Sequence, residues 1–338
     1  MPKGTKVLRD GTLKLPKGYW RRSDGTIGHI HTMSTGKQIA RDWRLYTFIL
    51  LPMIYFIIFQ YLPMIGNVIA FRQYRAGSPF PYNLIGSSWR GLTYVNMFIH
   101  NQMFWQAFRN TLIIAAETLV FTFPLPIILA LLMNELRSRK FKRVVQTISY
   151  LPHFLSVVLV AGIILQVTAS TGLINIVLMK MGLTHTATLF MQDPAWFRPV
   201  YIISQIWQTV GWGTILYLAA LTSVDDQLYE AAAIDGASRW KQTWHVTLPG
   251  IRPTMVVLLV LNIGSFLGVG FEKIILIYNP ATYSTADVLS TYIYRVGLGM
   301  NPQYSQATAI GLFQGIISLI LIIAANLVSR RLTETSLW

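Results

Sequence analysis

The chain consists of long apolar runs separated by short polar stretches, and the apolar runs contain almost no charged residues. A helix needs about 20 apolar residues to cross the roughly 30 Å of hydrocarbon in a bilayer. The pattern therefore predicts an all-α, polytopic membrane protein with six transmembrane helices. We place them at Leu45–Phe71, Thr111–Met133, Ile148–Thr168, Val200–Thr222, Thr254–Phe271 and within Val296–Ser329.

Lysine and arginine are distributed unevenly between the segments that connect these runs. Twenty of the 28 basic residues fall in four segments, namely 1–44, 134–147, 223–253 and the C-terminal tail. The other eight fall in the three alternate segments, 72–110, 169–199 and 272–306. Basic residues accumulate on the cytoplasmic side of membrane proteins. We therefore predict that both termini are cytoplasmic, with a basic N-terminal segment 1–44, a transmembrane domain 45–330 and a tail 331–338.

The composition agrees with a membrane protein. Charged residues make up 12% of the chain and hydrophobic residues 53%, with a mean hydropathy of +0.46, whereas soluble domains are about 25% charged. The absence of cysteine excludes disulfides and thiolate metal sites. The net charge of +15 is explained by membrane topology, so we expect contact with anionic lipid and no nucleic-acid partner.

Residues 223–253 predict two short helices joined by a glycine. Asp225 or Asp226 is suited to cap a first helix, and Gly236 to end it in the left-handed conformation. Ser238 is suited to cap a second helix, which we expect to stop at Pro249. Such a pair of helices either enters a groove on another protein or rests on lipid as an amphipathic hairpin.

The spacing of three motifs in this segment resembles the EAA loop of ABC importer permeases. The motifs are Glu230-Ala231-Ala232, Asp235-Gly236-Ala237 and Val246-Thr247-Leu248-Pro249, with Val246 in place of the more usual isoleucine. The resemblance covers about residues 45–330 and is greatest to carbohydrate importers of the maltose, alginate and oligosaccharide type. It implies the type I ABC importer permease fold and a loop that docks into a separate ATPase. The docking core carried over is Glu230, Ala231, Ala232, Asp235, Gly236 and Ala237, with Leu248 and Pro249 fixing its exit.

The resemblance also implies the partners. They are a second permease subunit, two ATPase subunits and an extracytoplasmic solute-binding protein, for which Asp193, Arg198 and the loop 272–306 are candidate docking points. Ordinary membrane-surface structure is the alternative for those residues. The only Gly-Lys pair, Gly36-Lys37, lacks the other residues of a phosphate-binding loop. We therefore expect this chain to be a transport subunit and not an enzyme, with ATP and Mg on the partner ATPase and no cofactor of its own.

Polar and aromatic residues within the predicted helices are candidates for a sugar path. Gln205, Gln208, Thr209 and Trp212 fall on one helical face, and in maltose-type relatives the matching residues lie at the sugar site. His153 follows Leu151-Pro152 at a position that also faces the sugar in the family, and Asn262 and Ser265 are weaker candidates. The alternative is that these side chains bond neighbouring helices. No metal site is expected at His153, because no second ligand stands at a suitable spacing.

Two other functions remain open at this stage. The same machinery could import a different solute, such as an amino acid, a peptide or a phosphate ester. A proton-coupled secondary carrier would need an intramembrane acid, and Glu117 is the single acidic residue well inside a predicted span. Contact with another helix, or protonation, is the alternative for Glu117, and the EAA-like loop outweighs the carrier hypothesis.

Overall fold

A computed structural model describes residues 6–7, 13–14, 19–21, 27–29, 41–77, 86–268 and 270–333. Most of the predicted N-terminal segment 1–44 and of the tail 331–338 lies outside the described residues. The chain divides into two compact units, Met1–Gly66 and Asn67–Trp338. The predicted domain boundaries at residues 44 and 330 stay predictions.

The first unit contains two short antiparallel hairpins and an apolar helix. Strand β1 (Lys6–Val7) pairs with β2 (Leu13–Lys14), and β3 (Tyr19–Arg21) pairs with β4 (Ile27–His29). The long helix α1 covers Trp43–Phe71 and includes a π-helical turn. No residue of α1 within this unit is buried. The all-α class is confirmed for the apolar part of the chain, and the strands belong to the basic N-terminal segment.

The regular secondary structure in the described residues of the second unit is helical, apart from an isolated bridge between Arg72 and Trp89. After the last turn of α1, its helices in chain order are α2 (Thr93–Ile99), α3 (Gln102–Glu135), α4 (Arg139–Tyr150), α5 (Val157–Val167), α6 (Leu173–Lys180), α7 (Pro194–Leu221), α8 (Asp226–Ile234), α9 (Arg239–Gly264), α10 (Phe271–Ile277), α11 (Tyr283–Ala286), α12 (Leu289–Leu298) and α13 (Tyr304–Thr333). Short 3₁₀ turns lie at Leu151–Phe154, Phe266–Gly268 and Pro280–Thr282.

Four helices of the described chain are long and apolar enough to cross a membrane, namely α1, α3, α9 and α13. The bent pair formed by α4 and α5 gives a fifth candidate. Helix α7 holds the predicted fourth span and has 28 residues, which makes it about 42 Å long. The multi-pass helical architecture is confirmed, and the count of six spans stays a prediction.

The predicted third span at Ile148–Thr168 contains a sharp bend, and its place as one membrane span stays a prediction. The segment Arg139–Phe154 meets Val157–Val167 at an angle of 98°. Leu155 and Ser156 between them have extended backbones, and the Ser156 hydroxyl caps α5 by accepting from the Leu159 amide at 3.2 Å. The uniform hydrophobicity of the run conceals this break, because a new helix can begin wherever a serine caps it.

The predicted boundaries of the fifth span are wrong. Helix α9 begins at Arg239 and ends at Gly264, and Phe271 already belongs to α10. Between them, Gly270 adopts a φ of +68° and precedes the first turn of α10. The apolar run therefore divides between two helices, α9 and α10, which lie on either side of the turn at Gly270.

Helix α7 lies at the centre of the second unit and packs against α3, α4, α9 and α11. In its first half, Phe197 and Tyr201 are fully buried with Ile274 of α10. In its second half, Tyr217 and Leu221 pack against α3 and α9. Because α7 belongs to both clusters, it fixes the side chains of α4, α5 and α10 around its middle turns, where the predicted path residues lie.

Candidate functional site

The predicted pair of helices in residues 223–253 is confirmed, including its caps. Asp225 caps α8 by accepting from the Gln227 amide at 2.9 Å. Gly236 ends the helix with a φ of +75°. The amide of Gly236 donates to Ala233 O and that of Ala237 to Ala232 O, which is the Schellman pattern of helix termination.

Side chains that sequence reasoning missed hold the two helices together. The Tyr229 hydroxyl of α8 donates to Thr247 Oγ1 of α9 at 3.0 Å. The buried Gln242 side chain donates to the carbonyl of Ala237 at 3.1 Å, just after the elbow. The first contact joins the two sides of the elbow, and the second fixes the chain directly after it to α9, so the elbow has a defined geometry.

The outer surface of this elbow is apolar and exposed. Ile234 is 86% exposed and Trp240 is 76% exposed. Leu228 and Trp244 are also exposed, as are Glu230 and Asp235 of the EAA-like motif. Large apolar side chains displayed on a rigid pair of helices are suited to insertion into a groove. The docking role of Glu230, Ala231, Ala232, Asp235, Gly236 and Ala237 stays a prediction.

Pro249 does not end the second helix, so that expectation is wrong. The helix continues from Arg239 to Gly264 through a π-helical turn at Thr243–Thr247. Leu248 and Pro249 lie directly after this turn, at the first positions of the following α-helical segment. Proline has no N–H to donate to the preceding turn, and the irregular π-helical turn at Thr243–Thr247 lies where that bond is missing. The elbow is therefore joined to a membrane helix without a flexible link.

A polar cleft of about 710 Å³ lies beside α8. Glu230 lines it together with Arg137, which follows α3, and Arg239, which begins α9. The cleft therefore brings Glu230 together with two basic side chains and with two further acids, Glu135 and Asp226.

Two of the predicted path residues stack on each other. The rings of His153 and Trp212 are 4.4 Å apart between centroids and 5° from parallel, and Phe154 packs edge-on against Trp212. The bend between α4 and α5 brings His153 against α7, and Trp212 remains 44% exposed. An exposed aromatic face beside a histidine can pack against a sugar ring. Among the described residues, no group of three His, Cys, Asp or Glu side chains could hold a metal ion.

The other polar residues on this face of α7 have different environments. Gln208 is buried, and its amide donates to the Leu155 carbonyl at the bend, at 3.5 Å. Thr209 donates to Gln205 O in its own helix. Gln208 therefore serves helix packing in this structure, whereas Gln205 and Thr209 are partly exposed and Trp212 is exposed.

Lys273 is a functional candidate that sequence reasoning missed. Its ammonium donates to Gln205 Oε1 at 2.6 Å, and the residue is 4% exposed. Lys273 lies in the first turn of α10, and its ammonium reaches Gln205 within the predicted fourth span. The only sequence signal was a lysine at the end of an apolar run, where a charge ordinarily marks the membrane surface.

Asn262 and Ser265 are not brought to this cluster by any hydrogen bond. Asn262 donates to Leu258 O and Ser265 donates to Asn262 O, both within the same helical segment, and both side chains are exposed. Their place in a substrate path stays a prediction.

Glu117 is near a positive charge on α7. Burial lowers the pKa of Arg198, and the negative charge of Glu117 partly offsets this effect. The guanidinium of Arg198 donates to Asn110 Oδ1 at 2.9 Å and to the Thr285 carbonyl at 3.3 Å. These bonds favour the structural account of Arg198 over docking. Glu117 Oε2 is buried and has no hydrogen-bond partner among the described residues, so the choice between helix contact and protonation stays a prediction.

Asp193 and the segment 272–306 have well-defined local structure. Asp193 caps α7 by accepting from the Ala195 amide at 2.9 Å. Asp287 and Arg295 form an ion pair at 2.6 Å, and Arg295 lies over the Tyr283 ring. Burial opposes the charge of Arg295, but the hydrogen bond and charge of Asp287 raise its pKa above the usual range.

Comparison with known proteins decides the family. The family described as the binding-protein-dependent transport system inner membrane component matches residues 122–334. The chain belongs to this family. It is therefore a permease of the cytoplasmic membrane and a multi-pass transport component, and the predicted resemblance is confirmed.

Two relatives match this permease over nearly the whole of their own length. Protein LplB of Bacillus subtilis (strain 168) is 44% identical over 89% of this chain and 92% of LplB. The polygalacturonan/rhamnogalacturonan transport system permease protein YteP of the same organism is 43% identical over 87% of this chain and 90% of YteP.

Solved structures agree with the fold of the permease. A chain from the crystal structure of a bacterial ABC transporter involved in import of the acidic polysaccharide alginate is 46% identical, with a TM-score of 0.81. The match covers 88% of this chain and 98% of that one. A second structure, of the alginate transporter in complex with an alginate pentasaccharide-bound periplasmic protein, is 45% identical with a TM-score of 0.82, and the match covers 90% and 99% of the two chains.

Proposed function

We propose that this permease is the transmembrane subunit of an ATP-driven importer of oligosaccharides or polysaccharide fragments. The names of its relatives support a carbohydrate cargo, since they include permeases or transporters for alginate, polygalacturonan and arabinooligosaccharides. The aromatic stack of His153 and Trp212 supports the same cargo, because sugar rings pack against aromatic faces. The chain moves its cargo by alternating access, in which the path opens to one side of the membrane at a time.

The observation that carries this proposal is the rigid, exposed elbow at Gly236. It displays Ile234 and Trp240 and continues directly into membrane helix α9. An ATPase subunit that grips the elbow can therefore move a transmembrane helix when it closes on ATP and Mg. The differential binding of the ATPase to the two states sets how far the permease shifts.

The working assembly contains further subunits. The family description supports dependence on a solute-binding protein. We propose that two ATPase subunits and a second, unlike permease complete the importer, and that the elbows of the two permeases each engage one ATPase.

Substitution of Gly236 tests the coupling role. Proline fixes φ near −65° and removes the N–H that donates to Ala233 O, so Gly236→Pro cannot form the observed elbow. Asparagine tolerates positive φ, so Gly236→Asn is the matched control. In proteoliposomes with all subunits, we expect Gly236→Pro to abolish ATP-dependent uptake and Gly236→Asn to retain most of it.

A different result would contradict the proposal. If vesicles that contain this chain alone take up solute in response to a pH gradient, and Gly236→Pro does not alter that uptake, the chain is a secondary carrier. If Gly236→Pro and wild-type assemblies show the same ATP-dependent uptake, the elbow does not transmit motion.

A further inference from the structure

Lys273 is a buried cation without an anionic partner. Its ammonium contacts the neutral amide of Gln205 and lies 5.9 Å from the centre of the Tyr201 ring. Among the described residues, no carboxylate forms an ion pair with it, and the one acid beside it in sequence, Glu272, is exposed. A buried charge is costly unless it is paired. The structure therefore holds a buried ammonium whose described contacts, Gln205 and Tyr201, are both uncharged.

The contact with Lys273 fixes the orientation of the Gln205 amide. An ammonium has only donors, so the atom of Gln205 that faces Lys273 must be the carbonyl oxygen Oε1. The two N–H donors of Gln205 are then left for a ligand. Gln205 is only partly buried and lies on the same face of α7 as Trp212. The path is therefore offered donors at this point, with a positive charge directly behind them.

A third donor lies close to the same ammonium. The Tyr201 hydroxyl is buried, and it has no hydrogen-bond partner among the residues that the structure describes. The turn at Gly270 packs directly over it, because a side chain at Gly270 would collide with the Tyr201 oxygen. A buried hydroxyl without a partner is unusual, and here it adds a further polar group to a neighbourhood that lacks a negative charge.

We propose that Lys273 is a positioning residue that sets the cargo specificity of the translocation path. By orienting the Gln205 amide and placing a positive charge behind it, Lys273 favours oligosaccharides that carry carboxylates over neutral ones of the same length. A passing carboxylate accepts from the Gln205 amide and supplies the missing negative charge. This inference rests on the proposed function and narrows its substrate class to acidic sugars.

Uptake of a charged sugar and its neutral counterpart tests the inference. The complete importer in proteoliposomes is supplied with trigalacturonate or with its fully methyl-esterified form. The binding protein is the same in every assay, so its own preference cancels when each variant is compared with wild type. We expect Lys273→Met to lower trigalacturonate uptake about tenfold relative to the ester, as for loss of a charge-assisted hydrogen bond. Lys273→Arg keeps the charge and restores the preference.

Two further variants separate specificity from stability. Gln205→Glu keeps the contact with Lys273 but neutralises the positive charge of the lysine. We expect trigalacturonate uptake to fall while the assembly elutes intact in size-exclusion chromatography. Lys180→Met removes an exposed lysine at the end of α6, and we expect it to leave the uptake of both sugars unchanged.

The inference is overturned if Lys273→Met lowers the uptake of both sugars by the same factor or lowers the uptake of neither. If wild-type assemblies take up neither sugar with ATP, the inference of an acidic-sugar cargo is overturned, whereas the proposed function is contradicted only if ATP drives uptake of no oligosaccharide.

Discussion

At the residue scale, the features predicted from sequence are those that depend on near neighbours. Asp225, Gly236 and Ser238 were identified as caps because each acts on backbone groups within three residues. The bond between Lys273 and Gln205 joins residues 68 positions apart. It exists only because α7 and α10 pack together in the fold, so no local pattern could predict it.

The stack of Trp212 on His153 leads to a prediction about cargo affinity. Trp212→Leu removes the aromatic face, and we expect the half-saturating sugar concentration for uptake to rise about two- to twelvefold, since such contacts contribute about 0.5–1.5 kcal/mol. Trp207→Leu is the control, because Trp207 is similarly exposed on α7 but lines an apolar pocket with Ile163 instead. Equal effects of the two substitutions on uptake would contradict a path role for Trp212.

At the element scale, hydrophobic runs located the helices but not their breaks and joins. The bend at Leu155 and Ser156 and the continuity of α9 through Pro249 both depend on backbone details within uniformly apolar or mixed sequence. The bend matters for function because it exposes the Leu155 carbonyl to Gln208 and places His153 against α7. Close packing of α4 on α7 keeps this arrangement in place.

At Gly211, α4 and α7 approach so closely that no side chain fits between them. A Cβ there would overlap the backbone carbonyl of Ser149, whereas a Cβ at Gly162 of α5 would meet no atom within 4 Å. We expect Gly211→Ala to destabilise the permease by about 1–3 kcal/mol through overpacking. Gly162→Ala is expected to be neutral or to stabilise by up to about 1 kcal/mol, because alanine favours helix. Thermal unfolding in detergent measures both, and equal midpoints would contradict the described packing of α4 on α7.

At the scale of the whole molecule, composition and the distribution of charge predicted a membrane protein, and the family match agrees. What sequence could not supply is the rigidity of the link between the elbow and α9, which comes from Tyr229, Gln242 and Thr247. The central claim is that this elbow lies in the cytoplasm and is covered by an ATPase subunit.

Accessibility of a single cysteine at the tip of the elbow tests that claim most directly. The chain contains no cysteine, so Ile234→Cys gives one labelling site on a side chain that is 86% exposed. In inside-out vesicles without ATPase subunits, we expect a membrane-impermeant maleimide to label Ile234→Cys. In right-side-out vesicles, we expect the same reagent to leave Ile234→Cys unlabelled and to label the control variant, Lys180→Cys. Addition of the ATPase subunits should protect Ile234→Cys. Labelling from the outside, or unchanged labelling when the ATPase is bound, would contradict the account.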